Sequence, residues 1–327
     1  MNDMTVQTEL LTASHTGPIA QRLLESNFNV NALRPQGVLR KDEWKLLDDK
    51  VIEVARTRLV AVKDLMDLGL TTNIPNALGV PQVDYERVSS MTAAEVSMSG
   101  VTQGVNDRML FDLKSTPLPI IHKDFQINIR ALASSRNKGM PLDTMQAALA
   151  ARLVSEKVEA MVFGGYSAIN IGGATIYGYT TATNRNTGSV TATWVTTTGE
   201  NMVTDILRMI SAACGDNMFG PYGLYVPQAV YNRLGNDYKA NSDKTILQRM
   251  LEIDQLQFVR PSTNLSGTNI ILVQLTSDVV DMLDGLQPTT VMWDEQGGMV
   301  TKFKVMAIMA PRIRDDYAGQ SGIVHYS

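Results

Sequence analysis

The chain has 327 residues, of which 44% are apolar and 19% charged, and a formal net charge of −4. That length suffices for two compact domains or one elongated domain with insertions, and the composition excludes wholesale disorder. The mild acidity gives no electrostatic ground for tight nucleic-acid binding, no apolar run reaches the ~20 residues needed to cross a bilayer, and the single cysteine, Cys214, excludes an intrachain disulfide.

The opening segment, MNDMTVQTELLTASHTG, lacks the basic-then-apolar pattern of a signal peptide, so synthesis in the cytoplasm is expected. Residues 1–40 are polar with weak periodicity and read as an extended arm with one short helix around 19–25. An amphipathic helix is predicted over 43–68, because Trp44, Leu47, Val51, Val54, Ala55, Leu59, Val62 and Met66 recur at three- and four-residue steps. Gly69 and Pro75 stop it.

Residues 74–116 change character. Val83–Val88 and Ala94–Ser99 each alternate apolar and polar, which predicts two strands of a ribbon, followed by a loop over 100–107. A two-stranded ribbon is marginal in water by itself, so this one is expected to lie against another subunit. Residues 120–132 then read as a strand with Phe125, Ile127 and Ile129 on one face, followed by the loop 134–140. Pro141 and Asp143, with Gln146 three residues after Asp143 in a capping-box arrangement, open a long helix. Leu142, Met145, Leu149 and Leu153 form its stripe, continued by Val154, Val158, Met161 and Val162, and Gly164-Gly165 ends it after roughly 35 Å.

Residues 166–198 are rich in Gly, Thr, Asn and Ser and read as an insert. Thr197 with Glu200 forms a second capping box, opening a helix with Val203, Ile206, Ile210 and Ala213 and stopped by Gly215. Beyond it strands are expected near 223–226, 257–260, 269–274 and 289–293, and helices near 227–234, 244–253 and 277–283. That alternation indicates a compact α/β lobe. A last strand pair over 299–312 is expected to rejoin the first lobe, and no internal repeat is present.

Chemistry-bearing patterns are scarce. His15, His122 and His325 have no partner at metal-ligand spacing, and one cysteine cannot form a thiolate cluster. Ser135-Arg136-Asn137-Lys138 matches an S-x-x-K pattern but sits in a turn without the accompanying S-D-N or K-T-G. No G-x-S-x-G, P-loop or dinucleotide glycine pattern occurs, and the acid pairs Asp48-Asp49 and Asp315-Asp316 read as a solvated helix side and a terminal turn. No cofactor and no catalytic residue is therefore predicted, and a non-enzyme is expected.

The ribbon, the PLPIIHKDFQINIRAL strand, the long helix ending at Phe163-Gly164-Gly165 and the GPYGL segment at 220–224 occur in an order that resembles the Hong Kong 97-type major capsid proteins of tailed bacteriophages and the related encapsulin shell proteins. The resemblance implies an α+β fold of the Hong Kong 97-like capsid type. It would comprise an N-terminal arm (1–40), a helix of the peripheral (P) domain (41–73), an extended E-loop (74–116) and the P domain (117–218) with its spine helix at 141–164. An axial (A) domain (219–292) and a return to the P domain (293–327) would complete it. It further implies self-association into pentamers and hexamers of a virion shell made in the host cytoplasm. Such a shell encloses double-stranded DNA through weak non-specific contact, with separate scaffolding, portal or decoration proteins as further partners and no membrane. An encapsulin-like compartment with protein cargo is the alternative, and an α/β metabolic enzyme the distant one. On the E-loop, Asp84, Glu86, Arg87, Glu95 and Arg108 are the candidates for ion pairs with a neighbour. On the A domain, Asn236, Asp237, Lys239 and Asn241 mark the expected ring-centre loop.

Overall fold

The structure, a computed structural model, describes residues 41–89, 91–94, 96, 98, 108–128, 130, 144–239, 243–295 and 300–327. Among these the chain runs α1 (Lys41–Arg58), α2 (Ala61–Asp67), β1 (Thr71–Asn73), β2 (Gln82–Val88), β3 (Phe111–Pro117), β4 (Ile120–Asn128) and α3 (Met145–Gly164). It continues through β5 (Tyr166–Ile171), β6 (Ala174–Ile176), β7 (Asn186–Gly188), α4 (Gly199–Gly215), β8 (Tyr222–Pro227), α5 (Gln228–Arg233) and α6 (Ile246–Leu251). The last elements are β9 (Leu256–Ser262), β10 (Ile270–Gln274), β11 (Val280–Glu295), β12 (Val300–Ile313) and β13 (Ile323–Tyr326). This is the α+β class read from the sequence.

Two compact units emerge. The first draws on the described residues of Met1–Pro81, Leu118–Ala160 and Met282–Ala310. Its sheet has the order β1-β11-β12-β4, with β1 parallel to β11 and β4 antiparallel to β12. β11 is buried along most of its length, as a strand covered on both faces must be. Gly285 is obligatory there, because a Cβ at that position would stand 2.3 Å from the Cβ of Ala77.

The single helix expected over 43–68 is two helices. Leu59 N still donates to Ala55 O (3.1 Å), but Ala61 N and Val62 N donate to the Glu159 carboxylate at 2.8 and 3.4 Å. A carboxylate supplied from α3 thus takes over the amides that would have continued the ladder, and a new helix starts there. The α3 stripe is also split. Ala147, Ala150, Ala151, Val154, Val158, Met161 and Val162 are buried, whereas Met145, Leu149 and Leu153 are 75, 55 and 42% exposed. Leu142 and the capping box at Asp143 lie outside the described residues.

The second unit comprises the described residues of Gln82–Pro117, Met161–Asp281 and Pro311–Ser327. Its sheet has the order β7-β13-β10-β8-β9, with β8 and β9 parallel and joined through α5 and α6. The amphipathic face of α4 (Met202, Ile206, Met209 and Ala213) belongs to one buried cluster with Leu224, Val226, Ile270, Leu272 and Val324. An aromatic row, Phe163–Tyr179–Tyr225–Phe258, continues at centroid separations of 5.7, 6.0 and 5.7 Å.

Asp205 is one of the carboxylates that tie the polar insert into this unit. Asp205, fully buried, accepts from Thr191 N at 3.1 Å, from the Thr191 hydroxyl at 2.5 Å, from Trp194 Nε1 at 2.9 Å and from Arg208 at 3.2 Å. Asp205→Ala leaves a buried indole N–H and a backbone N–H without this acceptor. It should therefore lower stability by about 3 kcal/mol, read as a fall in the urea midpoint at unchanged slope. A midpoint within error of the parent would show that the insert does not depend on this carboxylate.

Three local expectations are corrected. The helix predicted over 277–283 is a turn at Thr276–Val279 (Val279 N to Thr276 O, 3.0 Å) leading into β11, consistent with the β-preference of Val279 and Val280. The cap of α4 is Thr198, which accepts from Asn201 N, while Thr197 Oγ1 accepts from Asn201 Nδ2. The partner of β2 is β3, not 94–99: none of the described residues between 91 and 98 is in a strand, and Val96 and Met98 are fully exposed. β3 places Asp112 opposite Arg87, where the two form a cross-strand ion pair.

Candidate intersubunit site

The antiparallel register of the ribbon defines its two faces, since directly opposed residues point to the same side. Val88 pairs with Phe111, Glu86 with Leu113 and Asp84 with Ser115 on one face; Arg87 pairs with Asp112 and Tyr85 with Lys114 on the other. The second face is committed to the chain itself. Arg87 donates to Asp315 Oδ2 (2.9 Å) and to the Asp316 carbonyl (3.3 Å) and also bonds Asp112, while Asn184 bonds the same Asp315. Tyr85 donates to the Ile313 carbonyl at 3.4 Å, and the Arg312 and Arg314 guanidiniums stand 5.9 and 6.0 Å from its ring centre. Burial, then the Asp315 charge, raises the Tyr85 phenol above its ordinary pKa. The hydrogen bond from Arg87 holds the Asp112 carboxyl below the usual range.

Beneath this clasp lies a bidentate pair, Arg312 with Asp281, in which Arg312 Nε to Oδ1 is 2.9 Å and Arg314 approaches the same carboxylate at 3.6 Å. The ribbon base is therefore anchored to the C-terminal segment by aspartates and arginines more than 200 residues away in sequence. No sequence pattern announces this clasp. The one available signal was the alternation of Phe111, Asp112, Leu113 and Lys114.

Among the described residues the other face makes no such hydrogen bond or ion pair outside the ribbon, and it carries Val88, Phe111 and Leu113 at 42, 64 and 63% exposure. Of the predicted contact residues, Asp84 accepts from Ser115 Oγ (2.6 Å) and Gln82 Nε2 (3.4 Å) and is exposed, as is Glu86 beside it. Arg87 lies on the opposite, anchored face. Arg108 is exposed just before β3, and Glu95 lies outside the described residues.

The predicted loop after α5 is exposed at Asn236, Asp237 and Lys239. Asn236 N and O hold it to Arg233 O and Ile246 N (both 2.9 Å), Asp237 bridges Thr245, and Lys239 Nζ is 3.5 Å from Glu200. Asn241 lies outside the described residues. As for reaction chemistry, His122 is a half-exposed strand residue 3.3 Å from Asp124. Among the described residues no group of three or more His, Cys, Asp or Glu side chains could hold a metal ion, and no helix is long and apolar enough to cross a membrane. The S-x-x-K segment lies outside the described residues.

The chain is similar to known shell proteins in sequence and in fold. It is 28% identical over 249 residues to the type 1 encapsulin shell protein EncA of Myxococcus xanthus, covering 75% of this chain and 79% of that protein. Its fold matches the virus-like particle from Pyrococcus furiosus with a TM-score of 0.59 at 16% identity, covering 87% of this chain and 99% of the other. It matches the capsid of Myoviridae phage XM1 with a TM-score of 0.60 at 12% identity, covering 80% and 90%. The fold is thus that of Hong Kong 97-type capsid and encapsulin shell proteins, and the match of residues 31–326 places the chain in the family described as "Family of unknown function (DUF6260)".

Proposed function

We propose that this chain is the building block of a closed icosahedral shell, assembled head to tail through pentamers and hexamers. The observation that carries this reading is the ribbon, anchored on one face by Arg87, Tyr85, Asp112 and Asp315, with an apolar face on the other that is exposed among the described residues. Such a surface is a liability on a monomer and an asset in a lattice of copies. In this reading residues 1–40 are the arm, 74–116 the E-loop, 41–73, 117–218 and 293–327 the P domain with its spine helix, and 219–292 the A domain. The loop at Asn236, Asp237, Lys239 and Asn241 lies at the ring centre. In the shell Asp84, Glu86, Glu95 and Arg108 would meet charges on a neighbour, while Arg87 holds the ribbon to its own chain. Contacts of this kind bury on the order of 2,000–5,000 Å². The chain acts as a structural protein, without cofactor.

For the contents of the shell, the head of a tailed phage enclosing double-stranded DNA is the first reading. That reading implies a virion location, weak non-specific contact with DNA, and scaffolding, portal or decoration proteins as further partners, and the mildly acidic chain agrees with it. An encapsulin-like compartment with protein cargo is the second, favoured by the 28% identity to EncA.

The chain expressed alone, purified by size and imaged by negative-stain electron microscopy, should give closed particles. Removing residues 83–105 should abolish them while leaving a folded protein by circular dichroism. Uniform small oligomers at every salt concentration would sink the shell reading. Particles from the native source that contain a second protein and no nucleic acid would decide for the compartment over the phage head.

A further inference from the structure

Methionine is used in two ways in this chain. Every methionine of β11, β12, α4 and α6 is buried, at 6% exposure or less. Around the end of the ribbon marked by Val88 and Phe111 the opposite holds: Met91 and Met109 are 59 and 46% exposed, and Met98 is fully so. Ser89 N donates to Leu110 O and Leu110 N to Ser89 Oγ, both at 2.9 Å. That closure brings Met91, two residues after Ser89, and Met109, one before Leu110, to the same end of the ribbon. Leu110 and Phe111, 52 and 64% exposed, continue the apolar run from Met109 into β3. A thioether in this setting is open to an oxidant in solution, whereas those packed in the core are shielded from it.

We propose that Met91, Met98 and Met109 form a reversible oxidation switch at the end of the ribbon, whose sulfoxides block the association of copies. The oxidant is a peroxide. The thioether sulfur gives an electron pair to one peroxide oxygen, the O–O bond breaks, and the second oxygen leaves as water from hydrogen peroxide. Sulfur is oxidised to the sulfoxide, and the peroxide is reduced. A flexible apolar side chain thereby becomes a polar one with a strong acceptor oxygen. On the separate chain that oxygen stays in water, and the fold is undisturbed because the three side chains lie outside the core. A contact between copies has to strip the water from it, and an acceptor buried without a donor opposes the contact at each of the three positions. The change is reversible, because thiol-driven reductases, one for each sulfoxide epimer, return the thioether. The switch acts before assembly, since a contact that covers this end of the ribbon also covers the sulfurs.

This assignment rests on the shell reading and is tested so that the two fail separately. The full chain, before assembly, is treated with hydrogen peroxide, the excess is destroyed with catalase, and the protein is brought to assembly conditions. Peptide mass spectrometry should find one added oxygen at each of Met91, Met98 and Met109 and none at Met202, Met282 or Met309, and electron microscopy should show loss of closed particles. Methionine sulfoxide reductases A and B should remove the oxygens and restore the particles. The variant Met91→Leu/Met98→Leu/Met109→Leu keeps volume and apolarity and should assemble with or without peroxide. Met145→Leu, which removes the exposed methionine of α3, should remain as sensitive as the parent. Closed particles built from chains that carry all three sulfoxides would overturn the switch while leaving the shell reading intact. So would a peroxide-sensitive triple variant, or reduction of the three sulfoxides without return of particles. An untreated chain that never assembles would remove both.

Discussion

Asp281→Ala is expected to lower stability by about 3–5 kcal/mol, the amount typical of removing one partner of a buried ion pair. Asp281 and Arg312 are 3 and 6% exposed, and their two-pronged contact is the most deeply buried ion pair among the described residues. The cost is asymmetric. Removing Asp281 leaves Arg312, with Arg314 beside it, facing the Tyr85 ring without the carboxylate that balances them. Removing Arg312 leaves Asp281 with Arg314, a third exposed and 3.6 Å away, which can close in. Arg312→Met should therefore cost less, about 2–3 kcal/mol. The double variant Asp281→Leu/Arg312→Met should recover most of the loss, because two apolar residues of similar volume need no desolvation. Urea denaturation of the four proteins in one assembly state measures the cycle. A double variant as weak as Asp281→Ala would show that the pair fixes the ribbon base by geometry and not by charge balance.

The parts of this molecule that sequence reasoning reached are those whose signal is local. The 3.6-residue period of α3 and α4, the apolar runs of β8 and β10, and the alternation in β2 are set by which face meets the interior, and burial writes that directly into residue order. What escaped depends on residues far apart. Glu159 divides the first predicted helix from a position 98 residues away, and nothing between 43 and 68 announces it. β2 pairs with β3, where Arg87 meets Asp112, while 94–99 alternates just as well on paper. Asp315 reads as a solvated turn residue until the fold brings Arg87 and Asn184 to it. The exposed half of the α3 stripe is a different failure. Periodicity reports that a face is apolar and cannot say whether the chain's own core or another copy will cover it.

Glu159 should impress a pH dependence on stability with the opposite sign to an ordinary carboxylate. It sits 4% exposed on α3, and burial pushes its carboxyl up to about 7 from the usual 4.5, against the lowering influence of the Ala61 and Val62 amides it accepts from. The buried Asp64 charge works in the same direction as burial. Two amide hydrogen bonds and the start of a short helix favour the anion by about 1 kcal/mol each, and desolvation outweighs them. Because the folded state holds this proton between pH 4.5 and 7 and the unfolded chain does not, the contribution is fully present below about 4.5. It is lost as pH rises through 7, a total of about 3 kcal/mol at 1.36 kcal/mol per pH unit. Glu159→Gln removes the titration while its amide oxygen still accepts from Ala61 N. The variant should be less stable than the parent at pH 4.5 and should overtake it by pH 8, the difference between the two changing by about 3 kcal/mol across that window. Urea midpoints of both proteins at half-unit pH steps measure this, and a difference that stays constant from pH 4.5 to 8 would mean that Glu159 remains ionised in the fold throughout.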